Sequence, residues 1–424
     1  MTSSNGPNAA NHKRSDVLIA GGGFVGLSLA LALARLAPAG FRVTLVDRRP
    51  QDAEVGDARA SALTAASRNL LDTLGVWQKI ESVAQPIEQI EITDSPLDAK
   101  GPRPSLIGFD NAMEAGVGRN AGSSAYVVEN GPLLRALAEA VAAEPAISVL
   151  APDAVDGFSC TPFAIACTLE SGETIDASLL VAADGRRSKL REQAGIKTVA
   201  WDYDQRGIVT TVAHERPHGG KAIQHFLPAG PFAMLPLTGN RTSIVWSEDK
   251  EEAARVMALD EAGFLAELEK RFGNQLGSLT LAGPRQDFPL SLHLARSFTA
   301  PRMVLVGDAA HGVHPLAGQG LNIGLRDVAA LTEVLVDGAR LGLDAGDAAQ
   351  LEAYARWRRF DSALSALAMD MMNRLFSNDS TIARAFRDFG LSVVERLPGV
   401  KRLLVQEAAG GTGRPPKLLQ GKPL

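Results

Sequence analysis

One stretch decides the fold of this chain: Asp16-Val-Leu-Ile-Ala-Gly21-Gly-Gly23-Phe-Val-Gly26-Leu-Ser-Leu-Ala-Leu-Ala-Leu-Ala34. It begins with an apolar run of strand length, turns at three adjacent glycines, and continues as an apolar run of helix length. Gly21 permits the turn, Gly23 lets the backbone approach a pyrophosphate, and Gly26 lets the helix pack closely on the strand. Free N–H groups at the start of such a helix face the phosphates. The stretch therefore predicts the first half of a βαβ unit that binds a dinucleotide.

The next segment completes this unit. The run Arg42-Val-Thr-Leu-Val-Asp47 is typical of a second strand and ends on a carboxylate that is placed to accept ribose hydroxyls. A glycine fingerprint alone is a weak signal, but strand, turn, helix, strand and terminal acid occur here in the required order. Cofactor-binding residues are therefore predicted at Gly21, Gly23, Gly26 and Asp47.

A second glycine and aspartate motif lies late in the chain. It reads Met303-Val-Leu-Val-Gly307-Asp308-Ala-Ala-His311-Gly-Val-His314-Pro315-Leu-Ala-Gly318-Gln319-Gly320-Leu-Asn322, which predicts a strand, a loop and a helix that begins at about Gly320. Such a loop brings backbone N–H groups and a helix dipole against the electron-rich edge of a flavin. Asp308 is placed to bind ribityl hydroxyls, and Pro315 to shape the wall beside the reactive ring carbon. The two motifs together predict one FAD held at both ends. This motif adds to the predicted cofactor-binding residues Gly307, Asp308, Gly318, Gln319, Gly320 and Asn322.

Composition bounds the class of protein. A chain of 424 residues with 46% apolar content can form two or three packed domains, and its net charge of -5 argues against polyanion binding by bulk electrostatics. No nucleic-acid partner is therefore expected. The two cysteines, Cys160 and Cys167, are too few for a disulfide framework and would lie on opposite faces of a single strand. A reducing, cytosolic compartment fits this composition best.

Residues 17–34 carry no charge and follow Lys13 and Arg14, so this segment also has features of a signal peptide or a membrane span. We favour the dinucleotide turn, because adjacent glycines weaken an apolar helix and each of them has a role in the turn. No other uncharged stretch approaches membrane-spanning length.

In these motifs the chain resembles the group A flavoprotein monooxygenases of the p-hydroxybenzoate hydroxylase fold. Within them it resembles the ubiquinone-biosynthesis hydroxylases, over nearly its whole length. The shared motifs fall on the glycine fingerprint, on Arg59 as the flavin-contacting arginine, on Asp184-Gly185 and on Gly307-Asp308. The narrower likeness to the quinone branch is carried by Phe226-Leu-Pro228-Ala-Gly230-Pro231-Phe-Ala-Met-Leu-Pro236, Ser243-Ile-Val-Trp246, His311-x-x-His314-Pro315-x-Ala-Gly318-Gln319-Gly-x-Asn322 and Leu397-Pro-Gly-Val-Lys401-Arg402.

The resemblance implies an α/β fold in which a Rossmann-like FAD-binding domain is interleaved with a mostly antiparallel β-sheet substrate domain, followed by a C-terminal helical segment. Alternating segments at 87–94, 149–183 and 207–246 agree with strands, and helices are expected at about 131–143 and 261–272. The expected boundaries are a disordered N-terminus at 1–15, an FAD-binding domain at 16–80, 120–185 and 284–345, a substrate domain at 81–119 and 186–283, C-terminal helices at 346–410 and a flexible tail at 411–424.

The resemblance also implies the reaction. NAD(P)H reduces FAD, oxygen adds to the flavin C4a carbon, and the hydroperoxide passes one oxygen atom to the ring of a polyprenylated phenol. Only one dinucleotide fingerprint is present, so the reductant is expected to dock transiently or to be replaced by an electron-donor protein. No side chain is expected to act as a nucleophile. The flavin-ring environment is assigned to Pro315, Gly320, His311 and His314, and the substrate contacts to His225, Phe232, Leu235, Trp246 and Pro315.

Several of these residues have more than one interpretation. His311 and His314 form an H-x-x-H pair, but no cluster in the sequence completes a metal site, so no metal is expected. The two histidines either orient substrate or flavin, or pack the loop. Phe232 and Trp246 either line the substrate cavity or pack a core, and His225 is more typical of a sheet residue than of a proton shuttle. Asp57 is expected to be a cap.

The C-terminal segment carries an apolar helical stripe beside several basic residues. The stripe consists of Ile382, Phe386, Phe389, Val393 and Leu397, and the basic residues are Arg384, Arg387, Arg396, Lys401 and Arg402. It either packs on its own protein or meets an anionic membrane or another ubiquinone-biosynthesis protein.

The favoured hypothesis is an FAD-dependent aromatic-ring monooxygenase of ubiquinone biosynthesis, cytoplasmic and peripheral to the inner membrane, of open oligomeric state. Three alternatives remain: a hydroxylase of a small soluble phenol, a flavin reductase or halogenase of the same fold, and a non-catalytic FAD-binding scaffold. The W-x-W-x-I-P motif of flavin halogenases is absent, because Trp77, Trp201, Trp246 and Trp357 are far apart.

Overall fold

The structure, a computed structural model, describes residues 14–50, 57–94, 105–110, 123, 125–312, 319–359 and 415–424. The helices are α1 Phe24–Leu36, α2 Ala65–Thr73, α3 Trp77–Ile80, α4 Asn130–Ala142, α5 Lys189–Gln193, α6 Lys250–Met257, α7 Glu261–Phe272, α8 Gln319–Arg340 and α9 at 348–359. The strands are β1 Arg14–Ala20, β2 Val43–Val46, β3 Ala60–Thr64, β4 Gln85–Pro86, β5 Gln89–Asp94, β6 Ser105–Asp110, β7 Ala125–Glu129, β8 Ile147–Leu150, β9 Val155–Cys160, β10 Ile165–Leu169, β11 Thr174–Ala182, β12 Thr198–His214, β13 Lys221–Leu227, β14 Gly230–Leu237, β15 Arg241–Asp249, β16 Leu279–Leu281, β17 Gln286–Ala295, β18 Thr299–Ala300, β19 Met303–Leu305 and β20 His311–Gly312.

The first sheet is the Rossmann-like sheet that the glycine fingerprint predicts. Its strands run in the order β18-β19-β11-β1-β2-β8, and the pairs from β19 to β8 are parallel. Both faces of β1 and β2 are covered, so Ile19 and Leu45, which pair with each other, are buried together with their neighbours. Helix α1 follows β1 directly and packs against α4 and α8. The α/β class and the strand, turn and helix order are confirmed.

The second sheet is the mostly antiparallel sheet that the alternating segments predict. Its strands run in the order β20-β17-β12-β15-β14-β13-β5-β6, with β16 beside β12. One face is packed by α6 and α7 over a closed apolar cluster, which includes Phe232, Trp246 and Phe264. The other face meets a small sheet of order β3-β7-β4 through a second cluster, which includes Leu235 and Val127. The two faces of this sheet therefore have different neighbours.

One strand connects the two cofactor motifs to the second sheet. Residues 293 and 294 of β17 pair with β20, which lies directly after Gly307-Asp308. At its other end β17 pairs with β12, through Val209 opposite Gln286 and Gly207 opposite Phe288. The late motif and the second sheet are thus hydrogen-bonded into one structure.

The chain end differs from the expected flexible tail. Residues 417–420 form a 3-10 helix in which Leu418 and Leu419 are buried against α2 and α8. The Lys417 backbone N–H donates to Glu333, and the Asn69 side chain donates to the carbonyl of Leu419. The two leucines fill an apolar groove, so residues 415–424 are ordered by burial.

Other expected boundaries also shift. Strand β1 begins at Arg14, so residues 14 and 15 belong to the sheet and not to a disordered N-terminus. Residues 1–13 lie outside the described residues, and so do the apolar stripe and the basic residues of the expected C-terminal helices. Within the described ranges, no helix is both long enough and apolar enough to cross a bilayer.

The cysteines lie on two strands and not on one. Cys160 ends β9 and is exposed, whereas Cys167 lies on the neighbouring antiparallel strand β10 and is buried. Burial, helped by the charge of Asp176, raises the pKa of the Cys167 thiol to about 12. Cys167 is therefore an apolar core residue at neutral pH.

Candidate active site

The glycine turn has the geometry of a dinucleotide cradle. Gly21 has φ +114°, in the region that favours glycine, and a Cβ there would collide with the carbonyl of Ala183. A Cβ at Gly26 would collide with the carbonyl of Gly21. Both glycines are therefore required by the packing of β1, α1 and β11 before any ligand is considered.

Gly23 is required for a different reason. It is the N-cap of α1, and within the described residues no side chain caps this helix and no protein atom lies within 4 Å of a Cβ built on Gly23. The free N–H groups of the first helical turn therefore open onto unfilled space, the arrangement that binds a pyrophosphate. This space belongs to a cavity of about 290 Å³. The residues present fit the dinucleotide that the sequence predicts.

Acidic and basic side chains surround the cavity. Asp47 lines it, and its Oδ2 accepts a hydrogen bond from Arg49 Nη2 at 3.1 Å. Asp184 lines it from the opposite strand, and desolvation raises the pKa of its carboxyl group. Asp47, Asp184 and Gly185, predicted from separate motifs, are thus brought to one cavity. The other charged residues that line it are Arg48, Arg49, Asp153, Arg187 and Lys189.

Arg59 connects the early and late motifs. It forms a two-pronged ion pair with Asp57, at 2.8 Å for each N···O contact, and its guanidinium lies 4.9 Å from the centre of the Phe288 ring. The ion pair with Asp57, and more weakly the charge of Asp308, raise the pKa of Arg59. Arg59 therefore holds a fixed positive charge between β17 and the late motif.

The sequence predicts Asp57 to be a helix cap, but the structure gives it a different role. Its carboxylate accepts hydrogen bonds from Arg59 and from Asn130 Nδ2, so it anchors the arginine. The cap of α2 is Thr64, whose side chain accepts a hydrogen bond from the Ser67 backbone N–H at 3.2 Å.

The late motif places Asp308 at the surface of the cleft. Gly307 has φ +57°, and a Cβ there would lie 3.0 Å from Val25 of α1. The Asp308 side chain is exposed, while its carbonyl accepts a hydrogen bond from His293 Nε2 at 2.8 Å. The carboxylate is therefore accessible to a ligand.

His311 has a packing role, which corrects its assignment to the flavin-ring environment. It is buried, and its Nε2 lies 2.6 Å from Asp327 Oδ2. The same carboxylate accepts Arg358 Nε at 2.7 Å and the Gly307 backbone N–H at 2.8 Å. The charges of His311 and Arg358 hold the pKa of Asp327 below its usual value, although burial alone would raise it. His311 thus fixes the loop through Asp327.

Asn322 is likewise structural, which corrects its assignment as a cofactor ligand. Its Oδ1 accepts hydrogen bonds from the Thr64 backbone N–H at 3.0 Å and from Ser67 Oγ at 2.7 Å, and its Nδ2 donates to the Ala62 carbonyl. The side chain therefore ties the start of α8 to β3 and α2. It is 3% exposed, so these contacts are shielded from water.

Several of the other predicted residues of the late motif lie outside the described residues. His314, Pro315 and Gly318 lie outside the described residues, and so does the side chain of Gln319. Helix α8 begins at Gln319, one residue before the predicted start. Within the described residues, no protein atom lies within 4 Å of a Cβ built on Gly320.

The aromatic side chains predicted to contact substrate lie on the wrong face of the second sheet. Trp246 is fully buried, donates to Glu248 from Nε1 at 2.9 Å, and packs edge-on against Phe232. His225 stacks on Phe232 and contacts Thr93 Oγ1. Phe232 and Trp246 belong to the cluster under α6 and α7, away from the flavin domain, and His225 shares their face of the sheet. The alternative interpretation of Phe232 and Trp246 as core residues is the correct one.

Leu235 has the opposite orientation but is also packed. It belongs to the cluster between the second sheet and the β3-β7-β4 sheet, with Ala62 and Val127. It therefore contacts the flavin domain and does not line an open surface.

The residues that face the flavin domain alternate along the strands with the buried residues under α6 and α7. Gln286 accepts a hydrogen bond from the Ala58 backbone N–H at 3.3 Å, which places its face of β17 beside the Arg59 segment. Residues paired across strands share a face. The row that pairs with Gln286 is Val209, Val245, Ala233 and Gln224. We call the five residues Gln224, Ala233, Val245, Val209 and Gln286 the floor. The alternation of the strand residues also predicts this row, if the small side chains and not the bulky ones are assigned to the substrate side.

The floor is more exposed than the helix-covered face, although its residues Ala233 and Val209 are buried. Gln224, Val245 and Gln286 are partly exposed, although their strands lie inside a nine-stranded sheet. In the part of the chain that the structure describes, no three His, Cys, Asp or Glu side chains come close enough together to hold a metal ion. The site thus consists of a nucleotide cavity, a loop held by buried charges, and a neutral sheet surface.

Comparison with known proteins agrees with this geometry. The FAD binding domain family matches residues 14–361. The chain is 43% identical to ubiquinone hydroxylase UbiL of Rhodospirillum rubrum over 418 residues, 97% of this chain and 94% of the relative. It is 34% identical to 3-demethoxyubiquinol 3-hydroxylase of Escherichia coli, over 93% of this chain and 98% of the relative.

Solved structures support the fold. The p-nitrophenol 4-monooxygenase PnpA of Pseudomonas putida superimposes with a TM-score of 0.77 at 20% identity, over 95% of this chain and 99% of that one. The predicted FAD cofactor and the monooxygenase class are confirmed by these matches. The chain belongs to the family of FAD-dependent monooxygenases that includes the ubiquinone hydroxylases.

Proposed function

We propose that this enzyme hydroxylates the aromatic ring of a polyprenylated phenol, an intermediate of ubiquinone biosynthesis. The observation that carries the proposal is the floor, a neutral surface that faces the flavin-binding residues. Two relatives that align with more than nine-tenths of the chain support this proposal by their activities: one is a ubiquinone hydroxylase and the other a 3-demethoxyubiquinol 3-hydroxylase.

The residues that would hold FAD are those of the two motifs. The first turn of α1 and Asp47 would bind the pyrophosphate and the ribose, and Asp308 the ribityl chain. When bound, FAD supplies the redox chemistry that activates O2 and delivers one oxygen atom to the ring, with NAD(P)H or another donor as reductant. Arg59, fixed by Asp57, places a positive charge beside this region and stabilises negative charge that develops there.

The floor supplies the surface for the ring. Val245 is small, apolar and partly exposed between the buried Ala233 and Val209, so a flat ring can lie against it and exclude water. None of the five floor side chains is ionisable. A benzoate-type substrate would bury its carboxylate against these neutral side chains, because the nearby Arg59 is already paired with Asp57, and such burial is costly. The floor therefore favours a neutral phenol over an acidic catabolic substrate.

A lipid-soluble substrate suggests a place for the enzyme. We propose that it works at the cytoplasmic face of the inner membrane, beside other ubiquinone-biosynthesis proteins, through the C-terminal segment. Replacement of the basic residues Arg384, Arg387, Arg396, Lys401 and Arg402 by glutamine is expected to lower membrane or complex association while FAD stays bound, because it leaves the buried Leu418 and Leu419 in place. Fractionation of the wild-type and substituted proteins measures this, and unchanged fractionation would count against the role of the segment.

Deletion of the gene tests the proposed function most directly. The deletion strain is expected to lose ubiquinone and to accumulate one prenylated precursor, whose ring identifies the position that this enzyme hydroxylates. Complementation with the wild-type gene should restore ubiquinone, and complementation with the Gly26→Ala variant should not. Normal ubiquinone in the deletion strain would refute the proposal. Bound FAD without substrate-stimulated oxygen consumption in the purified protein would favour the scaffold alternative.

A further inference from the structure

Gln224 is a polar residue of the floor for which the described fold provides no hydrogen-bond partner. Its Nε2 atom is buried from solvent and has no acceptor within the described residues. The neighbouring residues Ile223 and Leu227 have the opposite orientation and belong to the cluster under α6 and α7. Strand alternation therefore directs the Gln224 carboxamide to the flavin side of the sheet.

The floor is the row at which the second sheet becomes partly exposed beside the flavin domain. One step along the strands, Ala222 and Leu235 pack against Ala62 and Val127 of the flavin domain. At the floor row itself, Gln224 and Val245 remain partly exposed, whereas Ala233 between them is buried. The Gln224 side chain therefore lies where the contact between the second sheet and the flavin domain becomes incomplete.

A buried amide N–H without an acceptor is unfavourable, because it has lost its water without gaining a partner. A ligand that brings an acceptor oxygen to this position removes the penalty, and a ligand without one does not. We propose that Gln224 donates a hydrogen bond from Nε2 to an oxygen substituent of the substrate ring, and so determines which rings are accepted and how they are oriented. The inference rests on the proposed function and adds a recognition residue to it.

The chemistry of the floor defines the substrate class. The acceptor is a hydroxyl, methoxy or carbonyl oxygen on an uncharged aromatic ring, because the floor offers an amide donor and no cation. The apolar floor residues between Gln224 and Gln286 contribute contact area but no directional interaction with the ring. The Gln224 hydrogen bond is therefore what prevents the ring from rotating in its own plane, and it decides which ring carbon is presented for hydroxylation.

Two substitutions at Gln224 test this role in the FAD-loaded, full-length enzyme. Gln224→Leu removes the donor at similar volume, and Gln224→Glu keeps the shape but presents acceptor oxygens. The matched control is Gln78→Leu, because Gln78 is exposed and donates to Asp72 far from the floor. The probes are a phenol with a short ortho-prenyl chain and the same prenylated ring without the hydroxyl group. Dissociation constants come from the change in flavin absorbance, and product isomers from chromatography.

The wild type and the Gln78→Leu variant are expected to bind the phenol about tenfold more tightly than the deoxy ring. Gln224→Leu should bind both rings alike, at the weaker affinity, and should give more than one hydroxylated isomer or waste reductant without product. Gln224→Glu should bind the phenol more weakly still. Retention of FAD and of the melting temperature separates this result from a general structural effect.

The inference is overturned if Gln224→Leu keeps the tenfold preference and a single product. It is also overturned if Gln224→Leu loses FAD while Gln224→Glu binds the phenol as the wild type does. If the wild type shows the preference but hydroxylates neither ring nor any longer prenylated phenol, the proposed function fails and the recognition role of Gln224 stands.

Discussion

Asp327 is a single buried carboxylate on which three parts of the chain depend. It joins the late motif at Gly307 and His311 to Arg358 of α9. We expect Asp327→Asn to lower the free energy of unfolding by about 3–5 kcal/mol, because the substitution removes the buried negative charge that Arg358 contacts at 2.7 Å. Urea denaturation of the FAD-free protein measures the change.

A control for this variant lies on the same helix. Asp337 is exposed and its ion pair with Arg340 is long, at 3.6 Å, so Asp337→Asn should change stability by less than about 1 kcal/mol. Equal losses in the two variants would contradict a special role for the buried carboxylate.

His293 gives the molecule a pH dependence. Burial, together with the charges of Arg186 and Arg191, lowers its pKa below 6.5, against the hydrogen bond to the Asp308 carbonyl. The unfolded chain then binds the proton more readily than the folded one, so stability is complete above about pH 6.5 and falls as the pH drops towards the folded pKa. The slope from one such group is at most about 1.4 kcal/mol per pH unit.

Unfolding free energies between pH 5 and 8 measure this slope. His293→Gln should flatten it in part, because His214, whose pKa burial also lowers, contributes in the same direction. The double variant with His214→Gln should flatten it further. A slope that is unchanged in His293→Gln would show that the pKa of His293 does not differ between the folded and unfolded protein.

At the scale of elements, the start of α1 separates the needs of the fold from those of the cofactor. Gly23→Ala adds a methyl group that meets no protein atom, so the fold should persist, but FAD affinity should fall about tenfold or more because the methyl enters the phosphate space. Gly26→Ala should lose both stability and FAD, since its Cβ collides with the Gly21 carbonyl.

FAD titration by fluorescence quenching distinguishes these variants. Gly157→Ala is the matched control, because its added Cβ also meets no atom within 4 Å but lies on β9, outside the residues that line the cavity. Unchanged FAD affinity in Gly23→Ala would contradict the placement of the pyrophosphate.

Glycine spacing and alternation were sufficient to predict most elements. Helix α7 has the predicted bounds, and β1, α1 and β2 occur in the predicted order. Alternation could not show which face of the second sheet meets the flavin domain, because Phe232 and Ala233 fit the pattern equally well. The choice is made by α6 and α7, which cover the bulky side chains, so the small ones face the flavin domain.

Long-range partners explain the other corrections. Asn322 binds the backbone of Ala62 and Thr64, at separations of 260 and 258 residues, so nothing near it in the sequence indicates a structural role. His311 was ambiguous for the same reason, since Arg358 lies on a helix that its own motif does not specify. The ordered position of Leu418 depends on a groove formed by α2 and α8.

At the scale of the whole molecule, that groove makes the flavin domain depend on residues at the far end of the chain. Leu418 is fully buried, and Leu418→Ala should lower the free energy of unfolding by about 2–4 kcal/mol through lost apolar burial and a cavity. The melting temperature should fall accordingly. Leu341→Ala is the control: that side chain is 78% exposed, so the change should stay within about 0.5 kcal/mol.

Strand β17 carries Gln286 and Phe288 near one end and pairs with the late motif near the other. Insertion or deletion of one residue within β17 would turn every later side chain of the strand to the opposite face of the sheet. A single such change would therefore alter the position of the flavin loop relative to the floor. Point substitutions have no such penalty. Within this lineage, changes of substrate should therefore arise by exchange of side chains along β17, at constant strand length.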